Sequence, residues 1–270
     1  MRIDVDAMGV DNAPQAPVAG ALEALEKNHE LELVLAGPEK TVSQTVDSVF
    51  QTEEQKKLLN RVTIVDCPEV ITNEEAPVMA VRHKKQSAIV DGMLKLRDGE
   101  VDAFVSAGST GALLSAATLT VRRVKGIRRA AMGPQIPTKT GRECVLIDCG
   151  ATADCTPEFL LQFAFMGSYY AEKVLGIENP RVALLNIGAE DSKGGELQKA
   201  VYPLLKQAGE TGAINFTGNI EARDVPLGGA DVVVSDGFSG NILLKGIEGT
   251  ALFMASMMKD MFKKNLLTKL

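Results

Sequence analysis

Two strand-like segments of this chain, VALLNI (182–187) and DVVVS (231–235), are apolar along almost their whole length rather than at every second position. A strand with one wet face alternates, whereas a strand without alternation has both faces covered. Such strands belong in a parallel sheet whose crossover helices lie on either side. The rest of the chain agrees. Strand-like segments at 2–7, 31–37, 61–66, 102–108, 143–150, 181–188, 213–220 and 230–237 alternate with helical patterns almost throughout. Segment 38–60 reads as one polar, surface-like helical stretch, 77–99 as helical with a break near Lys85, and a long helix begins near Ser239. The expectation is an α/β fold: a mainly parallel sheet with helices on both faces, in three α/β/α layers. No Pro/Ser/Gly linker divides residues 1–270, so a single α/β domain is expected, with QIPTKTGR (135–142) as the one candidate division into two lobes.

Charge and composition narrow the function. The chain carries a net charge of −6, which argues against a general nucleic-acid binder. Its longest apolar runs fall short of the roughly 18 residues that span a bilayer. The opening MRIDVDAMG has acids where a signal peptide is apolar, so a cytoplasmic location is expected. Four cysteines without a C-x-x-C pair, and only two histidines, make a zinc site unexpected. The thiols read as reduced and mostly buried, with Cys149 singled out by its place at a strand end. No cofactor and no metal are expected.

One sequence is written twice. VSAGSTG (105–111) and VSDGFSG (234–240) share the pattern V-S-x-G-x-S/T-G, each running from a strand-like into a helix-like stretch. In an open parallel sheet, ligands bind beyond the carboxyl ends of the strands. Glycines there let the backbone turn sharply, and the following helix begins with unpaired N–H groups that suit an anion. Gly108, Gly111, Gly237 and Gly240 are the glycines of the two turns. Ser106, Ser109, Thr110, Ser239 and Asn241 add side-chain donors, or serve as plain helix caps; duplication within the fold is a further explanation. Other strand ends carry Asp6, Asp11 and Asn12, and then Asn186, Gly188, Glu190 and Lys193. The run VRHKKQS supplies Arg82, His83, Lys84, Lys85 and Ser87, either a solvated helix face or a cation clamp. There is no G-x-x-x-x-G-K-S/T loop, no G-x-G-x-x-G turn after the first strand and no G-x-S-x-G elbow.

VDAMGVDNAP, SAGSTGALL, DCGATADCTPEFLLQFA, LLNIGAEDSKGGEL and VVVSDGFSGNILLK, in this order, resemble the bacterial phosphate acyltransferase PlsX family over essentially the whole chain. The resemblance implies conversion of long-chain acyl-[acyl carrier protein] and inorganic phosphate into acyl phosphate and free carrier protein, within phospholipid synthesis. It implies an isocitrate/isopropylmalate dehydrogenase-like, phosphotransacetylase-like fold, a homodimer, and peripheral association with the inner face of the membrane. The family usually has Gly where this chain has Val10, and Asn where it has Ser109. Its chains also continue by several tens of residues beyond the point that matches position 270. A phosphotransacylase acting on acyl-CoA and an NAD(P)-dependent dehydrogenase of the related fold are the alternatives.

Phosphate attacking a thioester needs no enzyme nucleophile; it needs positioning and stabilisation of the oxyanion. The two glycine turns suit those tasks, Lys84, Arg82 or Lys193 would neutralise phosphate charge, and Asp236 would orient a donor or accept a proton. Cys149 as a covalent acyl carrier is the rival. Arg122, Arg123, Lys125, Arg128 and Arg129 form the densest basic patch, read as a docking surface for an acidic carrier protein or as a solvated loop. Residues 252–270 form a basic amphipathic stretch, suited to helix packing, dimer contact or a membrane surface.

Overall fold

The computed structural model describes residues 1–263. They form two compact units, Met1–Lys125 and a second that begins at Gly126. The expected division at 135–142 falls inside the second unit.

The first unit runs β1 (Arg2–Asp6), α1 (Gln15–Lys27), β2 (Glu32–Gly37), α2 (Glu39–Val49), α3 (Glu53–Lys57), β3 (Val62–Asp66), α4 (Pro77–His83), α5 (Ala88–Asp98), β4 (Ala103–Val105) and α6 (Thr110–Thr120). Its four strands are all parallel, in the order β3-β2-β1-β4. Period-two alternation sorts each strand's side chains onto two faces. Ile3, Val5, Leu33 and Leu35 pack with α1 and α2 around Val18, Leu25 and Phe50. On the other face α4, α5 and α6 cluster through Ala80, Ile89, Met93 and Ala112. Asp4 and Asp6 belong to that second face by parity, and both are buried.

Local chemistry redraws one helix. The stretch expected to be one helix at 38–60 is two, because Phe50 turns into the core and Thr52 opens α3 with a reciprocal cap to Gln55. The break expected near Lys85 is present between α4 and α5.

The second unit runs β5 (Gln135–Pro137), β6 (Glu143–Ile147), α7 (Pro157–Lys173), β7 (Arg181–Asn186), α8 (Glu196–Glu210), β8 (Asn215–Glu221), β9 (Val232–Val234) and α9 (Gly237–Lys263). Its strand order is β5-β6-β9-β7-β8, parallel except for the edge strand β5. Val145, Leu184, Val232 and Val234 pack on α7 and α8, while Cys144, Leu146, Ala183 and Val233 face the other way, where Leu243, Leu244 and Ile247 of α9 cover them. These are the unalternating strands of the sequence, buried on both sides as a doubly covered sheet requires. The α/β fold with helices on both faces is therefore realised in each unit.

Candidate active site

In the first unit the ends of β1 and β4 are tied together. Asp6, at the last position of β1, accepts a hydrogen bond from Ser106 Oγ at 2.8 Å and another from the Met8 amide at 3.0 Å. Ser106 Oγ in turn accepts from the Gly108 amide at 3.1 Å. Burial pushes the Asp6 carboxyl up, and the Ser106 and Met8 hydrogen bonds pull it back. The loops after β1 and β4 lie so close that a Cβ on Gly108 would sit 2.9 Å from Gly9 O. Ser109 then caps α6: its Oγ accepts from the Ala112 amide and its carbonyl from the Leu113 amide. Thr110 and Gly111 follow in the first turn, where helix geometry gives their amides no intrahelical acceptor.

The second unit repeats the sequence and varies the wiring. Ser235, which follows β9, exchanges backbone bonds with the end of β6 and donates its hydroxyl to Asp148 O at 2.6 Å. Asp236 is buried and caps α9, its Oδ1 accepting from the Phe238 amide at 3.1 Å and the Ser239 amide at 2.8 Å. The Gly237 amide goes to Thr152 O, and the Gly240 amide to Asp236 O. Every amide from Gly237 to Gly240, expected from the sequence to face a ligand, is thus engaged within the protein. Their glycines answer a packing demand: a Cβ on Gly240 would lie 1.9 Å from Asp148 O, and one on Gly237 2.7 Å from Thr152 O. Ser239 and Asn241 remain as side-chain donors, Ser239 partly exposed and Asn241 exposed.

Other predicted residues fall into the same two groups. Asp11, Asn12 and Arg82 are exposed in the first unit. Lys84 is half-buried and pinned, its Nζ donating to Val70 O and to Glu75 Oε1 at 2.6 Å each, so it braces the 70–75 loop. In the second unit Asn186 braces the β7–α8 loop, donating to Lys193 O and accepting from the Ile187 amide. Gly188 lies under the side chains of Glu190 and Lys193, and both of these are exposed. Asn186, Gly194, Gly195, Gln198, Ser239 and Ile242 border a pocket of about 410 Å³.

Sequence reasoning missed Asp148. It sits just past the end of β6, completely buried. Its Oδ1 accepts from the amides of Met132, Cys149 and Ala151, and its Oδ2 from that of Thr152. A signal was present, since IDCG (147–150) ends its strand as VDAMG (5–9) ends β1.

The cysteines are poor nucleophiles. Burial pushes the Cys149 and Cys155 thiols up to about 11, and those of Cys67 and Cys144 to about 12. Among the described residues no group of three His, Cys, Asp or Glu side chains is placed to hold a metal ion.

The phosphate acyltransferase of Bacillus cereus (strain B4264) is 48% identical over 270 residues, covering 100% of this chain and 78% of that protein. Among solved structures, a phosphotransacetylase from Streptococcus pyogenes matches with a TM-score of 0.64 at 19% identity, over 93% of this chain and 82% of its own. The EutD phosphotransacetylase from Staphylococcus aureus matches with a TM-score of 0.60 at 16% identity, over 91% and 80%. At such identities these two show a shared fold, the phosphotransacetylase-like one expected from the sequence. The family described as fatty acid synthesis protein matches residues 1–270. Its full-length match and the identity to a curated phosphate acyltransferase show that the chain belongs to this family, and that it is an acyltransferase.

Proposed function

We propose that the protein transfers a long-chain acyl group from the thioester of acyl-[acyl carrier protein] to inorganic phosphate, in the service of phospholipid synthesis. A hydrogen phosphate oxygen attacks the carbonyl carbon and forms the C–O bond. The tetrahedral intermediate then breaks its C–S bond, and the proton from phosphate ends on the carrier's sulfur. The observation that carries this reading is the start of α6. There the amides of Thr110 and Gly111 and the Thr110 hydroxyl lie at the positive end of a helix, beside the rigid Asp6–Ser106–Gly108 network. In the second unit the amides of the turn are engaged, and the donors it offers are the Ser239 and Asn241 side chains. An aliphatic chain needs an apolar hollow, and the first unit has one of about 420 Å³, lined by Ile3, Val5, Ala21, Leu33 and Val105.

On this reading the basic run from Arg122 to Arg129 receives the acidic carrier. Arg128 there is paired with Glu158, and Arg129 lies over the Phe159 ring. Leu252, Phe253, Met257, Met258, Met261 and Phe262 of α9 are exposed, which supports a homodimer contact or a peripheral seat on a cytoplasmic membrane face. The part of that stretch beyond residue 263 lies outside the described residues. No described helix is long and apolar enough to cross a membrane.

The test is phosphate-dependent release of free thiol, run in parallel on acyl-carrier protein and acyl-CoA. Release from the carrier substrate, abolished when phosphate is omitted, is expected. Faster turnover of acyl-CoA would favour the phosphotransacylase reading, and no phosphate dependence would end both.

A further inference from the structure

The two glycines of the second turn press against one short segment, and one carboxylate organises that segment. Gly240 is bounded by the carbonyl of Asp148 and Gly237 by the backbone of Thr152. Asp148 itself fixes the path between them, because its side chain gathers the amides of Cys149, Ala151 and Thr152 at 2.7, 3.1 and 2.8 Å and reaches across to Met132 at 3.1 Å. A buried carboxylate ringed by four amides is fully satisfied and hard to move. Its backbone is the other half of the device, donating to Ser235 O at 3.2 Å and accepting the Ser235 hydroxyl at 2.6 Å. Thr152 completes it by accepting the Gly237 amide at 2.8 Å. The first turn of α9 therefore rests on Asp148 at two points, directly through Gly240 and indirectly through Thr152. That turn carries Ser239, and Ile242 follows in the next; both border the pocket that Asn186 and Gly194 also line.

We propose that Asp148 is a positioning residue for acyl transfer: it sets where the Ser239 and Asn241 side chains stand without touching substrate. The proposal rests on the reading that these two side chains act on the substrate. In Asp148→Asn the side-chain oxygen serves the three amides at Oδ1, and the new –NH₂ then faces the Thr152 amide donor to donor. Thr152 is displaced, and Gly237 with it.

The test compares Asp148→Asn with Leu205→Ala, a core truncation on the buried face of α8 that loosens the unit without touching the turn. Below both melting temperatures, Asp148→Asn is expected to lower kcat at least about tenfold while the KM for phosphate stays within about twofold. Leu205→Ala is expected to keep its kcat. Wild-type kcat in folded Asp148→Asn overturns the proposal, and so does an equal loss in Leu205→Ala. Should Asp148→Asn fail to fold, Ser235→Ala decides: it removes the 2.6 Å bond to Asp148 O, and an unchanged kcat there overturns the proposal. Hydrogen exchange separates this failure from that of the proposed function. If the wild type shows no phosphate-dependent turnover, the function falls, yet the Phe238 to Gly240 amides must still exchange faster in Asp148→Asn than in Leu205→Ala of equal stability. Equal exchange removes Asp148 from the role.

Discussion

The two V-S-x-G-x-S/T-G turns share their sequence and differ in where the helix begins. In the first, the cap is Ser109, the fifth residue of the motif, and α6 starts at Thr110. In the second, the cap is Asp236, the third residue, and α9 starts at Gly237. Two residues of shift change the use of every amide in between. The first turn leaves the Thr110 and Gly111 amides without an intrahelical acceptor. The second gives its amides to Asp236 and Thr152. One glycine pattern thus leaves its leading helix amides without an intrahelical acceptor in one unit and builds a tightly packed joint in the other.

The sharpest way to break this contrast is to add a methyl group to each turn. A Cβ on Gly240 would stand 1.9 Å from Asp148 O, against 2.9 Å from Gly9 O for one on Gly108. Neither obstacle is a flexible side chain. Gly240→Ala gains about 1 kcal/mol of helix propensity and still is expected to lose about 3 kcal/mol or fail to fold. Gly108→Ala is expected to lose about 1 kcal/mol. Urea unfolding of the two variants measures the difference, and equal losses would erase the distinction in packing between the two turns.

The first turn is tested by removing a donor without disturbing the helix. Position 110 is the first helical residue, where proline is tolerated, and Ser109 already has a ψ of 109°, close to the extended range that a following proline favours. Thr110→Pro loses both amide and hydroxyl, and Thr110→Val only the hydroxyl. Thr110→Pro is expected to raise the KM for phosphate by about tenfold or more, equivalent to about 1.4 kcal/mol, and Thr110→Val by less. Melting temperatures should stay close to the wild type. An unchanged phosphate KM in Thr110→Pro would move the anion away from α6.

The caps give a smaller effect. Asp236 serves two amides at 2.8 and 3.1 Å, Ser109 one at 3.4 Å. Asp236→Ala is expected to cost about 1–2 kcal/mol of stability and Ser109→Ala about 0.5–1. Asp236→Asn, which keeps an accepting oxygen, should restore both stability and turnover. Turnover lost in Asp236→Asn at full stability would instead assign the carboxylate to the chemistry.

Much of this was legible from residues in order. Unalternating VALLNI and DVVVS announced strands covered on both sides, and the alternation of strand and helix announced the parallel sheets. Asp236 stood out locally, as the one acid in VSDGFSG where the first turn has Ala107, but its capping of α9 did not. Other features were written nowhere locally. That Gly240 is pressed by Asp148, 92 residues earlier, is a product of β6 lying beside β9. Lys84 reads as a free cation in VRHKKQS, yet the fold brings it the Val70 carbonyl and Glu75. The edge strand β5 has three residues and a proline, too short to show a period.

Buried carboxylates carry the comparison to its last and mildest test. Asp148 has four amides on its oxygens, whereas Asp4, on β1 and equally buried, has no hydrogen bond to either. The Lys95 ammonium stands 3.7 Å from Asp4, an ion pair too long for a hydrogen bond, and pairs more closely with Asp91. Burial therefore dominates over Lys95, and the Asp4 carboxyl is pushed up to about 6. A carboxyl raised in the folded state binds its proton there more tightly than in the unfolded chain. Its contribution is fully present below the unfolded value near 4 and is lost as pH rises through about 6. At neutral pH the chain then carries a penalty of at most about 3 kcal/mol. Asp4→Asn removes the charge and keeps an unpaired polar group, so a gain of about 1 kcal/mol is expected at pH 8. The gain should shrink as pH falls and vanish below about pH 4. Unfolding measured across that range checks the sign. A gain that grew toward acid would mean that Asp4 is held ionised by Lys95 after all, and that both units stabilise their buried carboxylates alike.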